Sequence, residues 1–438
     1  MRNMVVGAGW LWGLLLPLHA QEAAAPPAPL TSLEQAWELA LANQVSLSLT
    51  RAQARDLAAD ASISQAGWWP AVRVTGQTDY YPSLPVQLIP GEIFGGQPGS
   101  FQQVRFGQPW VMSTGVEFQW AIVQAEKWLD TRAAQMSVAQ GTLQTDLEAD
   151  RLRVSLIQAY YEVVFWQDYV PFTEELAVQA LALGTVSRQR FEQQQISRLD
   201  LVRAEALEEQ VRMQMTEARA RHARALLRLE EVIGWSEAQP LVVADSLARR
   251  NLLRPTMPVA ADDPAVRLAQ LQAETAAIRL QARTWRAAPS LNLSGRYQFQ
   301  TQTDDLFDQT QYNSFNYGLV SLGLQWTLFQ GGTQRHLVQK QSIQLDQARL
   351  RTDQAIRQVD DQTRQWLSHW EEAAAQTDPA EKRLRLAQES LNLALARLTE
   401  GYSALDEYFQ VYQEYTQAVQ ACYQNRLNLH VYYELLQR

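Results

Sequence analysis

The residues of this chain that could perform chemistry are few and scattered. Its 438 residues include five histidines and one cysteine, Cys422. Their spacing contains no H-x-x-x-H, HExxH, CxxC, GxSxG or P-loop motif, so neither a zinc site nor an activated nucleophile is indicated. The sequence therefore predicts that the protein is not an enzyme and binds no cofactor or metal.

The remaining candidates are two aspartates in matching surroundings. The letters RFE, followed by LD at residues 199–200, are answered by RLTE, followed by LD at residues 405–406. Asp200 and Asp406 would each lie in the first turn of a helix, where a carboxylate can cap exposed backbone N–H groups. Any further role depends on the elements that position them.

Charge and the first residues narrow the class of protein. The chain carries 47 acidic and 38 basic residues, which makes nucleic acid an unexpected partner. Residues 1–20 have the basic start, apolar run and small-residue end of a secretory signal peptide, and the Pro/Ala-rich residues 21–30 predict a flexible segment. One cysteine cannot form an internal disulfide, and none follows the predicted cleavage point to indicate an acylated N-terminus.

A large internal repeat is the most informative feature. WPAVRVTG at residues 69–76 recurs as APSLNLSG at 288–295, and VEFQWAIVQ at 116–124 recurs as LGLQWTLFQ at 322–330. The order of the landmarks is the same in both halves, and the unit is too long for a solenoid repeat. We interpret the chain as two copies of one unit with a linker between them, at residues 31–233, 234–262 and 263–438.

Helical periodicity opens and closes each copy. A spacing of three and four between apolar residues predicts opening helices at about 32–67 and 264–287, and closing helical regions at about 123–233 and 333–436. About 70 helical positions in the first closing region would span on the order of 100 Å. Pro171 should kink or break that helix. Cys422 lies on an apolar seam of the second closing region, so we interpret it as a small core residue rather than a nucleophile.

Between the helices the apolar period changes to two, which predicts two strands per copy. The polar positions of these strands include charged side chains, such as Arg73, Asp79, Glu117 and Arg296. Strands of about ten residues with this alternation suit a transmembrane barrel, although an ordinary half-buried sheet has the same pattern. The predicted strands are 71–80, 111–122, 290–300 and 317–328, with loops at 82–109 and 301–315.

Four strands cannot close a barrel alone. Open strand edges in lipid would leave backbone groups without hydrogen bonds at several kcal/mol each. The edges must therefore pair with other copies of the chain. Two copies would give eight strands with a filled interior and three would give twelve with room for water, and the physical argument does not choose between three and four copies.

Several segments together resemble the TolC-type outer-membrane efflux proteins. They are LTSLEQAWELALANQVSL, the WWPA and AAPS starts of the strands, the doubled Gln-Trp segment with Gly331-Gly332, and RFEQQQISRLDL with RLTEGYSALDEY. The resemblance covers residues 31–438. It implies a mainly α-helical homotrimer with a twelve-stranded barrel in the outer membrane of a Gram-negative bacterium and a helical tunnel in the periplasm. It also implies two partners, a periplasmic adaptor and an inner-membrane transporter.

The same resemblance implies a gate at the periplasmic tip of the tunnel. Family members narrow the tunnel there with carboxylates, and Asp200 and Asp406 match those positions. A second carboxylate three residues after Asp406 is not matched, and Glu407 is its candidate substitute. Arg198 and Tyr402 are the candidates for contacts that bridge helices in the closed tip.

Copy one departs from the family pattern at two places. Gln194 stands where a glycine is usual before the tip, whereas copy two has Gly401. Ala125-Glu126 stands in the place of Gly331-Gly332. Because of these differences the resemblance does not extend to the loop geometry of copy one, while the expected fold is unaffected.

Aromatic residues near the strand ends complete the predicted site. Tyr80, Trp110, Trp120 and Trp326 would lie at the membrane interface, where amphipathic rings are favoured, and core packing is the alternative for each. The predicted function is a passive exit duct. The alternative is a periplasmic or secreted coiled-coil structural protein without a pore, and drugs, metal ions, polypeptides and polysaccharides all remain possible cargo.

Overall fold

The structure is a computed structural model that describes residues 30–236, 241–247, 254–308, 310, 312–400 and 405–438. The predicted signal peptide, residues 21–29 of the predicted flexible segment and the gate candidate Tyr402 lie outside the described residues. The described chain is mainly helical with a small sheet, as the sequence predicted.

Seven α-helices account for most of the described chain. None of them combines the length and apolarity that a membrane-spanning helix requires. Their bounds are Leu33–Asn43 (α1), Val45–Ala66 (α2), Ala125–Glu192 (α3), Arg198–Ile233 (α4), Pro264–Trp285 (α5), Thr333–Glu400 (α6) and Leu405–Gln437 (α7).

The two copies have nearly the same helix lengths. α2 and α5 contain 22 residues each, and α3 and α6 contain 68 residues each. Both long helices also have one internal proline, Pro171 in α3 and Pro379 in α6. The repeat predicted from short sequence landmarks is thus visible in the length of the elements.

One helix predicted as continuous is interrupted, and of the two alternatives predicted at Pro171, a kink or a break, the break is excluded. The opening helix predicted at 32–67 is interrupted at Gln44, whose ψ of 119° is extended. The break predicted as one alternative at Pro171 does not occur, because α3 continues through it. A proline removes one backbone hydrogen bond, and the packing of its neighbours Tyr169 and Phe172 against the apolar core of this region holds the helix in place.

The predicted strands form one antiparallel sheet in the order β1-β4-β5-β6. Each predicted hairpin is present, as β1 with β4 and as β5 with β6, and the central β4–β5 pairing joins the two copies. The outer edges of β1 and β6 have no partner strand within the described residues. The bounds are Ala71–Tyr80 (β1), Trp110–Val123 (β4), Ser290–Thr303 (β5) and Asn313–Gln325 (β6).

The prediction of four strands is wrong, because the loop at 82–109 contains a second hairpin. Strands Val86–Pro90 (β2) and Phe101–Arg105 (β3) pair antiparallel around a 3-10 turn at Gly91–Phe94. The predicted strands rest on alternation over about ten residues. Two strands of five residues each, in a segment rich in proline and glycine, are too short to show it. The predicted loop at 82–109 is longer than its counterpart at 301–315, and it contains a folded hairpin rather than an open loop.

The chain divides into two compact units, and each contains parts of both copies. The described residues of one unit fall within 1–43, 155–251 and 375–431, and those of the other fall within 44–154, 252–374 and 432–438. The first unit has an apolar core in which three tyrosines of α7, Tyr408, Tyr412 and Tyr415, are buried with residues of α3, α4 and α6. Cys422 is 1% exposed in the same helix, which confirms its interpretation as a core residue.

Part of the predicted linker is anchored to α3. Leu30 forms a parallel bridge with Val243. The backbone N–H of Leu247 donates to Asp168 at 2.7 Å, and the hydroxyl of Tyr160 donates to Asp245 at 2.9 Å. The described linker residues 241–247 therefore belong to the fold of the first unit.

Candidate functional site

The four-stranded sheet has one mainly apolar and one mainly polar face, and Phe315, Tyr317 and Leu319 of β6 lie on the polar side. Residues that pair directly across antiparallel strands point to the same side, so the register assigns each position to a face. Val72 pairs with Phe118 and Val74 pairs with Val116, and both pairs share the first face. This apolar face also carries Trp120, Leu293, Tyr297, Phe299, Val320, Leu322 and Leu324.

The apolar face is accessible from outside. Val74 is 73% exposed, Val320 is 71% exposed and Leu324 is 72% exposed. A monomeric water-soluble domain rarely exposes so large a contiguous apolar surface. This face therefore requires an apolar environment.

The opposite face contains a row of charges. Glu117 pairs in register with both Arg73 and Arg296, and its carboxylate lies 2.6 Å from the Arg296 guanidinium. Asp79 lies on the same side, further along β1. The charged positions predicted from the sequence thus share one face, and the ion pair partly compensates the charge within it.

Aromatic residues stand at both ends of the apolar face. Tyr80 pairs with Trp110 at one end, and their ring centroids are 4.5 Å apart. Trp120 lies ten residues further along β4 on the same face, and Trp326 directly follows β6. Both of these indoles are exposed, by 39% and 60%, so core packing does not explain them.

The turn between α3 and α4 holds Asp200 in a local hydrogen-bond network. The Ser197 side chain accepts a hydrogen bond from the Asp200 N–H, and the Asp200 carboxylate accepts from the Ser197 N–H and hydroxyl. This reciprocal arrangement is a capping box at the start of α4. Arg198, predicted to bridge helices in the closed tip, has its guanidinium over the ring of Phe191 of α3 at 5.8 Å.

The same turn shows how the backbone accommodates Gln194, whereas the matching Gly401 lies outside the described residues. With a φ of 56°, Gln194 is the one non-glycine residue with positive φ in the described part of the chain. Side chains other than glycine are strained in that region. The backbone therefore adopts the geometry that a glycine would favour even though the glycine is missing.

The corresponding region of copy two is held by ion pairs. The Asp406 carboxylate contacts the Arg203 guanidinium of α4, and Glu407 lies 3.2 Å from Arg397 of α6. Arg203 was not among the predicted site residues. The sequence places Arg203 in the first two turns of α4, near Asp200. Its partner Asp406 could not be inferred, because their contact depends on the packing of α4 beside α7.

A third arginine connects the two turns. Arg190 of α3 donates to the carbonyl oxygens of Leu398 at 3.0 Å and Thr399 at 2.7 Å. These are among the last carbonyls of α6, where intrahelical donors are missing and a cation is favoured. Arg190 and Arg397 match in sequence, so matching arginines have different partners.

An apolar groove lies beside these contacts. It has a volume of about 460 Å³ and lies between the ends of α3 and α6 and the starts of α4 and α7. Leu183, Val186, Leu395 and Leu398 provide apolar walls, with Arg190 and Asp200 at its polar side. Such a groove can accept apolar side chains of another helix.

Two titratable groups near the linker and on α7 are shifted by burial. Desolvation raises the pKa of Asp168, and its hydrogen bond from Leu247 opposes the shift. Burial also raises the pKa of the Cys422 thiol, which lowers its nucleophilicity. Within the described ranges no cluster of three or more His, Cys, Asp or Glu side chains could hold a metal ion.

Comparison with known proteins gives concordant results. Residues 259–437 match the family described as outer membrane efflux protein, a range that nearly coincides with the second copy. Protein CyaE of Bordetella pertussis is 24% identical over 373 residues, which is 78% of this chain and 73% of CyaE.

Solved structures match the fold over most of the chain. CusC, described in connection with transmembrane channel formation, has a TM-score of 0.77 at 14% identity and covers 95% of this chain and 94% of its own. The CmeC outer membrane channel of Campylobacter jejuni has a TM-score of 0.70 at 15% identity, with 92% and 84% covered. At these identities the likeness establishes the fold.

Proposed function

We propose that this chain, a TolC-like outer-membrane efflux protein, is the passive exit duct of a tripartite efflux or type I secretion system. The predicted resemblance and the location in the outer membrane of a Gram-negative bacterium are confirmed by the match of residues 259–437 to the outer membrane efflux protein family, and the solved channels share the fold. The duct is a homotrimer that receives its cargo from a periplasmic adaptor and an inner-membrane transporter. These partners supply the energy for transport.

The single observation that carries the proposal is the sheet with two free edges and two unlike faces. In lipid, the unpaired N–H and C=O groups of β1 and β6 need partners, and a second copy can provide them. Three copies with four strands each make a twelve-stranded barrel, which is wide enough for water. The apolar face then contacts lipid and the charged face lines the pore.

The aromatic positions fit the thickness of a membrane. Trp110 and Trp120 are ten residues apart on one face, which is roughly 33 Å along a strand at about 3.3 Å per residue. A strand tilt of about 40° reduces this to a height of about 25 Å, the height of the apolar band of outer-membrane barrels. Tyr80 joins Trp110 at one interface, and Trp326 joins Trp120 at the other.

The turns of the long helices are the proposed gate. The pairs Arg203–Asp406 and Arg397–Glu407 connect helix starts and ends with exposed ion pairs. Exposed pairs contribute little to folding but can favour one of two arrangements of nearly equal energy. Asp200 supports the gate indirectly, since its carboxylate is part of the helix cap.

The groove beside the turns is the proposed docking place for the adaptor. Its apolar walls suit apolar side chains of the adaptor, and Arg190 and Asp200 offer polar contacts at the edge. The inner-membrane transporter then meets the duct through the adaptor.

Oligomer closure is tested by disulfide formation between strand edges. In a Cys422→Ser background, one cysteine replaces Thr75 on β1 and a second is scanned over residues 315–321 of β6. We expect disulfide-linked dimers and trimers in the outer-membrane fraction, because β6 of one copy pairs with β1 of the next. The control places the second cysteine at Gln298 on the central strand β5, where no linkage is expected. A purely monomeric product, or a soluble periplasmic rod, would favour the coiled-coil structural protein instead.

Orientation is tested by thiol labelling on intact cells. Single cysteines in the connection at 82–109, which contains the hairpin of β2 and β3, and in residues 304–308 should react with membrane-impermeant reagents, because these segments lie at the strand ends away from the long helices. A cysteine at Gln193, in the helical turn, should be protected. The reverse pattern would refute the proposed topology.

The gate is tested by conductance in planar bilayers. Replacing Arg203 and Arg397 together by glutamine removes both ion pairs and should raise the conductance of single channels. Arg219→Gln is the matched control, because it breaks an equally exposed pair with Glu174 that lies away from the turns. Equal conductance in all three proteins would place the constriction elsewhere.

A further inference from the structure

The two matching tryptophans, Trp120 and Trp326, each donate a hydrogen bond to a backbone carbonyl at a matching position of their own copy. The indole N–H of Trp120 donates to the carbonyl oxygen of Trp68 at 2.8 Å. The indole N–H of Trp326 donates to the carbonyl oxygen of Ala287 at 3.0 Å. Trp68 and Ala287 occupy matching positions, three residues before β1 and β5 begin. The match therefore extends from the sequence to the identity of the bonded atoms.

Both acceptors lie in a short turn that leads from a helix into a strand. At the end of α2, the N–H groups of Gly67, Trp68 and Trp69 bond to carbonyls three or four residues earlier. At the end of α5, the N–H groups of Arg286, Ala287 and Ala288 do the same. Pro70 and Pro289 then end each turn, because proline offers no N–H to continue it.

The carbonyls at this point need a donor from another element. The last carbonyls of a helix have no intrahelical partner. In each copy the tryptophan that supplies the donor belongs to the returning side of the hairpin, at the end of β4 or directly after β6. One hydrogen bond therefore connects the outgoing and the returning chain at the joint between helix and sheet.

A second side chain reinforces each joint, and here the copies differ. The Lys127 ammonium, at the start of α3, donates to the carbonyl of Gly67 and lies 5.6 Å from the centroid of the Trp68 ring. In copy two, the Gln334 amide at the start of α6 donates to the carbonyl of Arg283. Different residues thus hold the same kind of joint, while the tryptophan is common to both.

We infer that Trp120 and Trp326 are positioning residues whose indole N–H groups lock the joint between the sheet and the helical arm of their own copy. This role goes beyond anchoring at a membrane interface, because anchoring requires an amphipathic ring but not one particular acceptor. It concerns a joint within one chain, so it stands even if the exit-duct proposal fails.

Other exposed tryptophans of the same region provide the contrast. Trp128 is 56% exposed, and its ring lies under the guanidinium of Arg132 at 6.0 Å. Trp285 is 52% exposed. Both can serve as interfacial anchors, and neither crosses from a returning strand to the end of a helix.

The test removes the indole N–H without changing the size of the side chain. In the full-length protein, 3-benzothienylalanine, an isostere with sulfur in place of N–H, is introduced at position 120 or position 326. Amide hydrogen exchange is then measured at residues 67–69 and 286–288. We expect the change at 120 to speed exchange only at 67–69, and the change at 326 only at 286–288, each by about fivefold, since one hydrogen bond is lost.

The same substitution at position 128 is the matched control and should leave both turns unchanged. Unchanged exchange after the substitutions at 120 and 326 would overturn the inference, as would an equal increase after the substitution at 128. Incorporation of 5-fluorotryptophan at 120 or 326 keeps the N–H and should give the exchange of the parent protein.

A distance measurement tests whether the lock fixes the joint. Spin labels at cysteines replacing Asp56 on α2 and Gln77 on β1 report the distance across the first joint, in a Cys422→Ser background with labelled chains diluted by unlabelled ones. The distance distribution should broaden after the isostere is placed at 120 and not after it is placed at 326. A distribution that is unaffected by the change at 120 would contradict a locking role.

Discussion

The two turns that end the long helices contain matching residues with different partners. In copy one, Asp200 bonds to Ser197 within the same turn. In copy two, Asp406 forms an ion pair with Arg203 of another helix. One carboxylate therefore completes a local cap, whereas the other connects two helices. A matching position in a repeat does not imply a matching interaction, because the neighbours of the two copies differ.

The same contrast recurs at the returning ends of the hairpins. In copy one, only Gln124 separates β4 from α3. In copy two, residues 326–332 separate β6 from α6, and Gly331 and Gly332 have positive φ values of 60° and 81°. Where Ala125 and Glu126 replace the glycines, the chain enters the helix directly.

The largest expected effect concerns Arg438, whose guanidinium pairs with two aspartates, one of which is the N-cap of α5. Arg438 lies 2.8 Å from Asp150 and 3.3 Å from Asp263, with only 10% of its side chain exposed, and its guanidinium lies over the ring of Trp366. Replacing Arg438 by methionine leaves two nearly buried carboxylates without their cation and should lower the free energy of unfolding by about 3–5 kcal/mol. Arg254→Met, which breaks an exposed pair with Glu371, should change it by less than about 1 kcal/mol.

The pH dependence of that variant provides a further check. Burial raises the pKa of Asp150, and Arg438 opposes the rise. Without Arg438 this pKa rises further above its value in the unfolded chain, so the charged carboxylate costs stability at neutral pH and the neutral acid does not. The loss in the free energy of unfolding that Arg438→Met causes should therefore become smaller as the pH is lowered through the raised pKa of Asp150. A loss that grows on acidification would show that the carboxylates are not its cause.

The next largest effect tests the difference in backbone geometry between the β4–α3 connection and the β6–α6 connection. Gly332→Ala should lower the free energy of unfolding by about 1–2 kcal/mol, because its φ of 81° is unfavourable for a residue with a Cβ. No atom lies within 4 Å of the position that the new Cβ would take, so steric overlap does not contribute. The reciprocal change Ala125→Gly should cost at most about 1 kcal/mol, through the lower helix propensity of glycine. Equal costs in thermal unfolding would contradict the proposed difference in backbone geometry.

Gln194→Gly should have the opposite sign. Glycine relieves the strain of a φ of 56°, so we expect a gain of about 1 kcal/mol in the free energy of unfolding. The control Gln193→Gly, one residue earlier in the same turn, lacks this relief and should not stabilise the protein. A loss of stability in Gln194→Gly would show that the glutamine side chain contributes more than its backbone strain costs.

The smallest effects distinguish the two aspartates directly. Asp200→Ala removes half of a capping box and should cost about 1 kcal/mol. Asp406→Ala removes an ion pair whose side chains are 40% and 57% exposed and should cost less than about 0.5 kcal/mol. Conductance should respond in the reverse order, with the larger increase in Asp406→Ala. A larger conductance in Asp200→Ala would contradict the proposal that Asp200 caps α4 whereas the ion pair of Asp406 holds the gate closed.

The repeat, the helix and strand types and the amphipathic strands were evident in the sequence, because periodicity and matching landmarks depend only on the order of residues. The unlike faces of the sheet follow from the same alternation, and so does the need to pair two free edges. The departure at Gln194 from the glycine usual in the resembling family was visible in the sequence, but the backbone strain there was not. The features visible in the sequence are local, or they repeat at a fixed distance along the chain.

The tertiary structure decided which groups meet. The ion pair of Arg203 with Asp406 depends on the packing of helices that are far apart in the chain. The break at Gln44 and the hairpin of β2 and β3 are local features that the apolar periodicity did not indicate. The acceptors of Trp120 and Trp326 were equally hidden, because a carbonyl oxygen carries no sequence identity. The sequence determined the elements and their repetition, whereas only the fold could select the partner of each side chain, since that choice is made by neighbours that lie remote in sequence and close in space.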